Sequence, residues 1–509
     1  MRGANGRTRA PGIVPPPIAR TLAAVGIGVV IAVATVAANL VVTGSATSPG
    51  SCPVAWQASP PTATPIQHLF VLVKENHAFE NYFGDLPGVL GNPPNGSFPV
   101  AFNSSTVVPP FALPGSSTPD MPHTASAGRT DLDHGRNDLF VAEANASGDP
   151  APQDAVGYYT SAQLPDYYAY ARNYAVGDRF FTGVLGPTDP NRVFDLSANV
   201  GTWNADSTPP ANVTDQPTVL NQLTDAAVPW EYEYASNTSQ GLAPDYYPSL
   251  VGSPCNAPRL LPVSDLAAQV NGPAPPSVVY LDPSTSPLYS EHPPENVTLG
   301  EAWTVAVVNE IEQSPIWNSS AIVVFYDENG GFWDPLVPPT TSTGMDGFRV
   351  PFLVISPWTP AGSICSEVLD PASILHFIDA NWNLPWLNAR VASAPSLSSC
   401  FFDFSQAPRA PFLLPTNVTF GPAPASPALP PLDGPATHRS PGRGESERIL
   451  GEPRPLRLRV AARGGPLDRE SGTLAPNRRR VSPGRCGAVG SAGRARDLRV
   501  PRRSRNGRT

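Results

Sequence analysis

Two apolar runs that end in oxygen-bearing side chains constrain the fold of this chain most. Residues 66–73 run into Glu75-Asn76, and residues 322–326 run into Asp327-Glu328. Short apolar runs bounded by polar residues are typical of strands buried on both faces. In open α/β sheets, ligands bind beyond the carboxyl ends of the strands. We therefore expect both pairs at one sheet edge, although each pair alone would also fit a solvated turn.

Further strand and helix patterns surround these two runs. Strands are predicted at 180–185, 278–281 and 350–356, and helices within 164–176, 191–199, 300–314 and 373–383. Alternation of this kind indicates an α/β domain of three layers, with helices on both faces of a mostly parallel central sheet. The domain is predicted to span residues 66–420.

A threonine stands between a predicted strand and helix. Thr188 lies in the turn 186–190, Gly-Pro-Thr-Asp-Pro, just before the helix predicted at 191–199. A hydroxyl beside the free N–H groups of a helix start is well placed to attack phosphorus. The alternative is that Thr188 merely caps the helix, which is common.

The polar residues at these strand ends form a plausible metal-assisted site. Glu75, Asn76, Asp327 and Glu328 offer four oxygen ligands for a divalent metal ion, which would neutralise a phosphate and lower the pKa of the Thr188 hydroxyl. His292, in a loop before a predicted helix, is a candidate to protonate the leaving oxygen or to bind a phosphoryl oxygen.

The charge of the chain is unevenly distributed. The net charge of −9 combines an acidic body, −25 over residues 21–430, with a basic stretch of +12 over residues 431–509. An acidic body argues against nucleic acid as a partner of the catalytic domain, because phosphate backbones require cationic contacts.

The two ends of the chain predict export and a separate tail. Residues 1–20 carry four Arg and no acid, and the uncharged stretch 21–43 fits a membrane anchor or signal segment, so the body is expected outside the cytoplasm, anchored or secreted. A Ser/Thr/Pro-rich linker follows at 44–65, and the Pro/Arg-rich tail 421–509 is predicted to be disordered. Eight glycosylation sequons and four body cysteines, with three possible disulfide pairings, agree with export.

Five segments in this order resemble a known family. They are ENHAFENYFG, VLGPTDPNRVFDLSA, SEHPP with GEAW, YDENGGFWDPLVPP and FRVPFLVISPW, within about residues 66–385. They resemble the bacterial phosphoesterases that include phosphatidylcholine-type phospholipases C and acid phosphatases, a family similar in fold to the alkaline phosphatase superfamily.

The resemblance implies roles for individual residues. It implies metal ligands at Glu75, Asn76, Asp327 and Glu328, and Thr188 as nucleophile and further metal ligand. It also implies contacts to the phosphoryl group from His292 and from His123, with His134 as the competing assignment for the latter. The substrate would be a phosphate ester, with a phospholipid as one candidate. Pro335, where many members have histidine after the aspartate, leaves substrate choice and proton transfer open.

Two other function classes fit parts of the sequence. A non-catalytic surface glycoprotein fits the sequons, the proline content and the acidity, but leaves the strand-end acids and Thr188 unexplained. A sulfatase-like hydrolase fits the Thr188-x-Pro-x-Arg192 spacing. Those enzymes, however, need a Cys or Ser that is converted to formylglycine, and threonine cannot supply it.

Overall fold

The computed structural model describes residues 60–91, 96–234, 242–283 and 288–418, which all belong to one compact unit. Its helices are α1 (Phe79–Phe83), α2 (Ala125–Leu132), α3 (Phe140–Ser147), α4 (Pro165–Asn173), α5 (Thr188–Ser197), α6 (Ala211–Thr214), α7 (Val219–Asp225), α8 (Pro248–Val251), α9 (Leu266–Val270), α10 (Val297–Gln313), α11 (Pro371–Asn381), α12 (Ala389–Ser393) and α13 (Ser398–Phe401). Its strands are β1 (His68–Lys74), β2 (Phe98–Pro99), β3 (Val107–Val108), β4 (Phe111–Ala112), β5 (Gly157–Tyr158), β6 (Ala175–Gly177), β7 (Trp230–Tyr234), β8 (Leu260–Pro262), β9 (Val278–Asp282), β10 (Ser320–Tyr326), β11 (Thr340–Thr341), β12 (Gly344–Met345), β13 (Phe352–Ile355) and β14 (Ser363–Cys365).

A central sheet organises these elements. Within the described residues it has eight strands in the order β14-β6-β13-β10-β1-β9-β7-β8. The pairs β1–β10, β1–β9, β7–β9, β7–β8 and β6–β14 are parallel, whereas β13 runs antiparallel to β10 and β6. Every residue of β1 and β10 is buried, as their continuous apolar sequences predict.

Helices cover both faces of the sheet. At the end of β1, the Lys74 Nζ reaches the carbonyl of Gly300 in α10 at 3.3 Å. The next residue, Glu75, instead contacts Arg192 of α5. Successive side chains of an extended segment point to opposite faces, so α10 and α5 lie on opposite sides. The expectation of a three-layer α/β domain with a mostly parallel sheet is confirmed.

One predicted strand is wrong. Residues 180–185 do not form a regular strand; they make only isolated bridges, Phe180 with Leu369 and Phe181 with Arg349. The side chain of Asn191 forms hydrogen bonds with the backbone of the residues that follow these bridges, 184–187. Its Oδ1 accepts the N–H of Val184 at 2.9 Å, and its Nδ2 contacts the carbonyls of Val184, Gly186 and Pro187 at 3.0–3.2 Å. The segment therefore forms a fixed loop that leads into α5.

Other expectations concern the covalent links and the ends of the chain. Cys365 and Cys400 form a disulfide, which selects one of the three possible pairings. Among the described residues no helix is long and apolar enough to cross a membrane. The basic residues 1–20, the segment 21–43, most of the linker 44–65 and the tail 421–509 lie outside the described residues. Their predicted roles stay predictions.

Candidate active site

The carboxyl ends of β1 and β10 form the centre of the site. The two strands pair in parallel with Lys74 opposite Tyr326, so the polar residues that follow them emerge side by side. The N–H of Asp327 donates to the Lys74 carbonyl at 3.0 Å, and the N–H of Asn76 donates to Asp327 Oδ1 at 3.1 Å. The structure thus brings together two pairs of side chains that are about 250 residues apart in sequence.

Arg192, one turn into α5, lies among the carboxylates. Its guanidinium contacts Glu75 Oε1 at 3.0 Å, Asp282 Oδ1 at 3.1 Å and Asp327 Oδ2 at 3.2 Å, and the side chain is buried. Burial alone would lower the pKa of Arg192, but the three carboxylates together raise it above its ordinary value. The guanidinium is therefore a permanent cation that offsets part of the acidic charge.

Two side chains of the site keep polar atoms without partners. The Oδ1 and Nδ2 of Asn76 and the Oε1 of Glu328 are buried and make no hydrogen bond within the described residues. Buried polar atoms are almost always paired, so each orphan requires an explanation. Oxygen atoms of this kind beside the carboxylates of Glu75 and Asp327 fit the donor set of a divalent metal ion.

The protonation of these acids depends on neighbouring charge. Burial raises the pKa of Glu75 well above its usual range, and Arg192 partly offsets that rise. Burial, followed by the nearby charge of Asp327, likewise raises the pKa of Glu328. A bound divalent cation would favour the ionised form of both groups.

Thr188 begins α5, the helix whose Arg192 contacts Glu75 and Asp327. Pro187 is the capping residue and no side chain caps this helix, so the capping alternative for Thr188 is not what the structure shows. Thr188 is half-buried, and its hydroxyl makes no hydrogen bond with any described residue. Residues four apart lie on the same face of a helix, so Thr188 lies one turn before Arg192 on the same face of α5.

The two predicted histidines lie together. The rings of His123 and His292 are 6.1 Å apart between centroids, and with Asp120 they offer three ligand atoms within 4.8 Å of one another. The Nδ1 of His123 lies 2.7 Å from the Met121 carbonyl, and the Nδ1 of His292 lies 2.6 Å from the Pro293 carbonyl. Each Nδ1 therefore carries the proton that it donates, which leaves Nε2 for a ligand.

His134 does not join this pair. It is exposed, adopts a positive φ of 57° in the short turn after α2, and lines a separate cavity. The geometry favours His123 over the competing assignment, and the roles of both residues remain predictions.

A buried network holds the loop that carries His292. Glu291 accepts hydrogen bonds from the hydroxyls of Tyr82 and Tyr167 at 2.6 Å each and from that of Tyr326, and it pairs with Lys74 Nζ at 2.9 Å. All of these side chains are buried. Glu291 has a positive φ of 72°, which its four side-chain partners hold in place, and it fixes the position of the next residue, His292.

Sequence reasoning missed three of these residues. Arg192 was noted only for its spacing from Thr188, Asp282 ends a short apolar strand as Asp327 does, and Glu291 directly precedes His292. The strand-end rule applied to 278–282 would have found Asp282. The network around Glu291 gave no local signal, because its partners come from three distant segments.

Comparisons with known proteins agree on one family. A model described as the Phosphoesterase family matches residues 66–385. Phospholipase C A of Mycobacterium tuberculosis is 29% identical over 387 residues, which cover 63% of this chain and 74% of that protein. Hemolytic phospholipase C of Pseudomonas aeruginosa is 27% identical over 429 residues, which cover 68% of this chain and 57% of that protein.

Solved structures give a more distant similarity. The phosphonate monoester hydrolase of Agrobacterium radiobacter aligns with a TM-score of 0.37 and 9% identity, covering 66% of this chain and 77% of that one. A member of the alkaline phosphatase superfamily from Vibrio parahaemolyticus aligns with a TM-score of 0.34 and 10% identity, covering 68% and 72%.

Proposed function

This chain belongs to the Phosphoesterase family, and from the site described above we propose that it is an exported, metal-dependent hydrolase of phosphate esters that uses Thr188 as its nucleophile. That it hydrolyses phosphoester bonds follows from its family and its phospholipase C relatives. The metal, the nucleophile, the export and a phospholipid substrate are the proposed parts. The observation that carries the proposal is the buried, unpaired oxygens of Asn76 and Glu328, which follow directly the two carboxylates that Arg192 of α5 contacts.

The metal would be held by Asn76, Glu328, Glu75 and Asp327, with Thr188 as a further ligand. When bound, a divalent cation would lower the pKa of a coordinated hydroxyl and neutralise phosphate charge. Arg192 keeps the ligand carboxylates in place and offsets their mutual repulsion. Arg192 thus lets the acids stay close together and reduces the negative charge that they present to an anionic substrate.

The chain's own residues divide the reaction into two steps. The Thr188 hydroxyl gives up its proton to water, its oxygen attacks phosphorus and forms a new P–O bond, and the bond to the leaving oxygen breaks as that oxygen takes up a proton. Water then attacks the phosphothreonine, the P–O bond to Thr188 breaks, and phosphate leaves while the hydroxyl regains its proton. The Nε2 atoms of His123 and His292 are available to bind the phosphoryl oxygens and, when protonated, to supply a proton to the leaving oxygen.

Substitution of the nucleophile tests the proposal. With p-nitrophenyl phosphate and p-nitrophenyl phosphorylcholine as substrates and added divalent metal, Thr188→Ala should lower kcat by at least about a thousandfold. Thr188→Ser should retain measurable activity and a trapped phosphoenzyme. The control is Thr182→Ala, which changes a buried threonine two residues before Val184 and so reports the effect of an altered loop on activity. Wild-type turnover by Thr188→Ala would reject Thr188 as nucleophile.

Only the names of the relatives bear on whether the substrate is a phospholipid or a soluble phosphomonoester. The curated relatives are named as phospholipases C, which favours a phosphodiester of a lipid. Comparing the two p-nitrophenyl substrates distinguishes phosphodiester from phosphomonoester preference. Expression of the full chain with an epitope tag, followed by cell fractionation, tests the proposed export.

A further inference from the structure

A large cavity lies beside the candidate site and none of the proposed catalytic or metal-binding residues lines it. It has a volume of about 920 Å³, a size typical of small-molecule sites. Its walls come from the end of α2, from residues 183–185, from residues 200–204 and from the hairpin of β11 and β12. The lining is mostly apolar and includes Leu132, Val184, Leu185, Phe194, Trp203 and Met345.

Two chain segments run from the cavity wall to the candidate nucleophile. Leu185 is three residues before Thr188, so the two Cα atoms are separated by at most roughly 10 Å of chain. On the other side, Asn204 is two residues before Asp206, whose Oδ1 accepts the N–H of Asp189 at 3.0 Å. The cavity wall and the start of α5 are therefore joined on two sides by short stretches of chain.

The loop between cavity and nucleophile is held rigidly. The Asn191 side chain makes four hydrogen bonds to the backbone of Val184, Gly186 and Pro187. A Cβ atom at Gly186 would lie 3.3 Å from the Asn204 carbonyl, which shows how closely the two segments pack. A ligand in the cavity would thus meet a preformed wall at a fixed distance from the reacting centre.

We infer that this cavity binds the acyl chains of a phospholipid substrate while its phosphate lies at Thr188, an inference that rests on the proposed function. Phosphate and polar headgroup require the charged site at the strand ends, whereas the acyl chains of the same molecule require an apolar surface within reach of it. The cavity supplies that surface. Its rim carries exposed apolar side chains, Val337 at 48% and Met345 at 40% exposure, which open it to a lipid entering from solvent.

A chain-length series tests the inference. The substrates are glycerophosphocholine, dibutanoyl phosphatidylcholine and dihexanoyl phosphatidylcholine, all used as dissolved monomers with added divalent metal. Because each buried methylene group contributes to binding, kcat/KM of the wild type should rise at least about tenfold from the dibutanoyl to the dihexanoyl ester. Val337→Trp, which extends a large ring over the rim, should remove most of that rise.

The chain provides a matched control for this variant. Val107 has the same side chain and nearly the same exposure, 49%, but does not line the cavity. Val107→Trp should keep the chain-length dependence of the wild type. An equal rise in both variants would overturn the inference, as would a wild type that hydrolyses all three esters equally well. In the latter case the proposed function would still stand.

A binding measurement remains decisive even for an inactive protein. Trp203 lines the cavity and is 8% exposed, so occupation by dihexanoylglycerol should change its fluorescence, whereas glycerol should not. The change should be absent in Trp203→Phe and weakened in Val337→Trp, but retained in Val107→Trp. No saturable change in the wild type would overturn the inference, whatever the fate of Thr188 as nucleophile.

Discussion

The Nε of Arg192 lies 3.2 Å from the Oδ2 of Asp327, at the point where helix α5 meets the carboxyl edge of the central sheet. The same guanidinium also contacts Glu75 and Asp282, so one buried cation serves three buried carboxylates. Since residues of one helix supply both Thr188 and Arg192, the position of the candidate nucleophile and the charge balance of the site depend on the same element.

Removal of the Arg192 charge should destabilise the domain strongly. Arg192→Met leaves three buried carboxylates without a counter-charge, which we expect to lower the free energy of unfolding by about 3–5 kcal/mol. Urea denaturation of the metal-free protein measures the change. Arg136→Met is the control, because Arg136 is 65% exposed and its acidic partners Asp133 and Asp138 are not fully buried. The control should change stability by at most about 1 kcal/mol. Similar losses in both variants would contradict the role given to Arg192.

Addition of a divalent metal ion should stabilise the protein through Asn76. At a hundredfold excess over Kd, bound metal contributes about 2.7 kcal/mol of stability, so the melting temperature should rise measurably. Asn76→Ala should lose most of this rise. Its cost to the metal-free protein should be only about 1 kcal/mol, from alanine at the positive φ of 62°, because the amide itself has no hydrogen-bond partner there. A thermal-shift series over several divalent metals provides the readout.

Asp379→Asn is the matched control for that series. Asp379 is fully buried like Asn76 but lies in α11 and accepts the N–H of Leu387 at 2.8 Å. Its substitution should leave the metal-induced rise intact. A full metal-induced rise in Asn76→Ala would remove Asn76 from the ligand set.

Much of the fold could be predicted because its signals are local. The apolar runs that form β1 and β10 are continuous, and each is followed closely by acidic residues. Both the strands and their carboxyl ends could therefore be predicted from the sequence. The antiparallel direction of β13 was not, because its apolar sequence reads the same in either direction. Residues 180–185 also looked like a strand, but the Asn191 side chain, several residues later, binds the N–H and the carbonyl of Val184.

The site was predictable only in part for a related reason. In open α/β sheets, ligands bind beyond the carboxyl ends of the strands. From this rule the sequence alone predicts that Glu75, Asn76 and Asp327 lie together. Arg192 and Glu291 act through partners that are 35 to 217 residues away in sequence: Tyr326 is 35 residues from Glu291, and Lys74 is 217 residues from it. Only the folded chain shows such contacts.

The carboxylate of Glu291 should position His292 for catalysis. Glu291→Gln removes the counter-charge of Lys74 and weakens three buried tyrosine hydrogen bonds, so the loop that ends in His292 loses its anchor. We expect kcat to fall about ten- to a hundredfold with a smaller change in KM, because a positioning defect affects the reacting geometry most. Steady-state kinetics with p-nitrophenyl phosphorylcholine gives the two constants separately.

A second variant separates this effect from a general loss of stability. Lys74→Met with Glu291→Gln removes both charges of the pair, so it should recover stability relative to Glu291→Gln alone. If the double variant recovers stability but kcat remains low, the carboxylate acts on the position of His292. Recovery of both would show that Glu291 serves stability only.

The pH dependence of stability should carry the signature of Glu301 in α10. Burial raises the pKa of Glu301 to about 8, and its Oε1 accepts the N–H groups of Asp166 and Tyr167 at 2.9 and 2.8 Å. The native state therefore binds a proton that the unfolded state releases near the ordinary glutamate pKa of 4.5. Between these two pH values the unfolded state binds fewer protons, so the stability from this group falls as pH rises and is constant above about pH 8.

Glu301→Gln should remove this dependence, since glutamine keeps the accepting oxygen but never ionises. Relative to the wild type, the variant should gain stability progressively from pH 5 to pH 8, by at most roughly 5 kcal/mol. Urea denaturation at several pH values measures the difference. Glu310→Gln, in the same helix but only partly buried, should show no comparable trend. A Glu301→Gln curve parallel to that of the wild type would mean that Glu301 is ionised in the folded protein despite its burial.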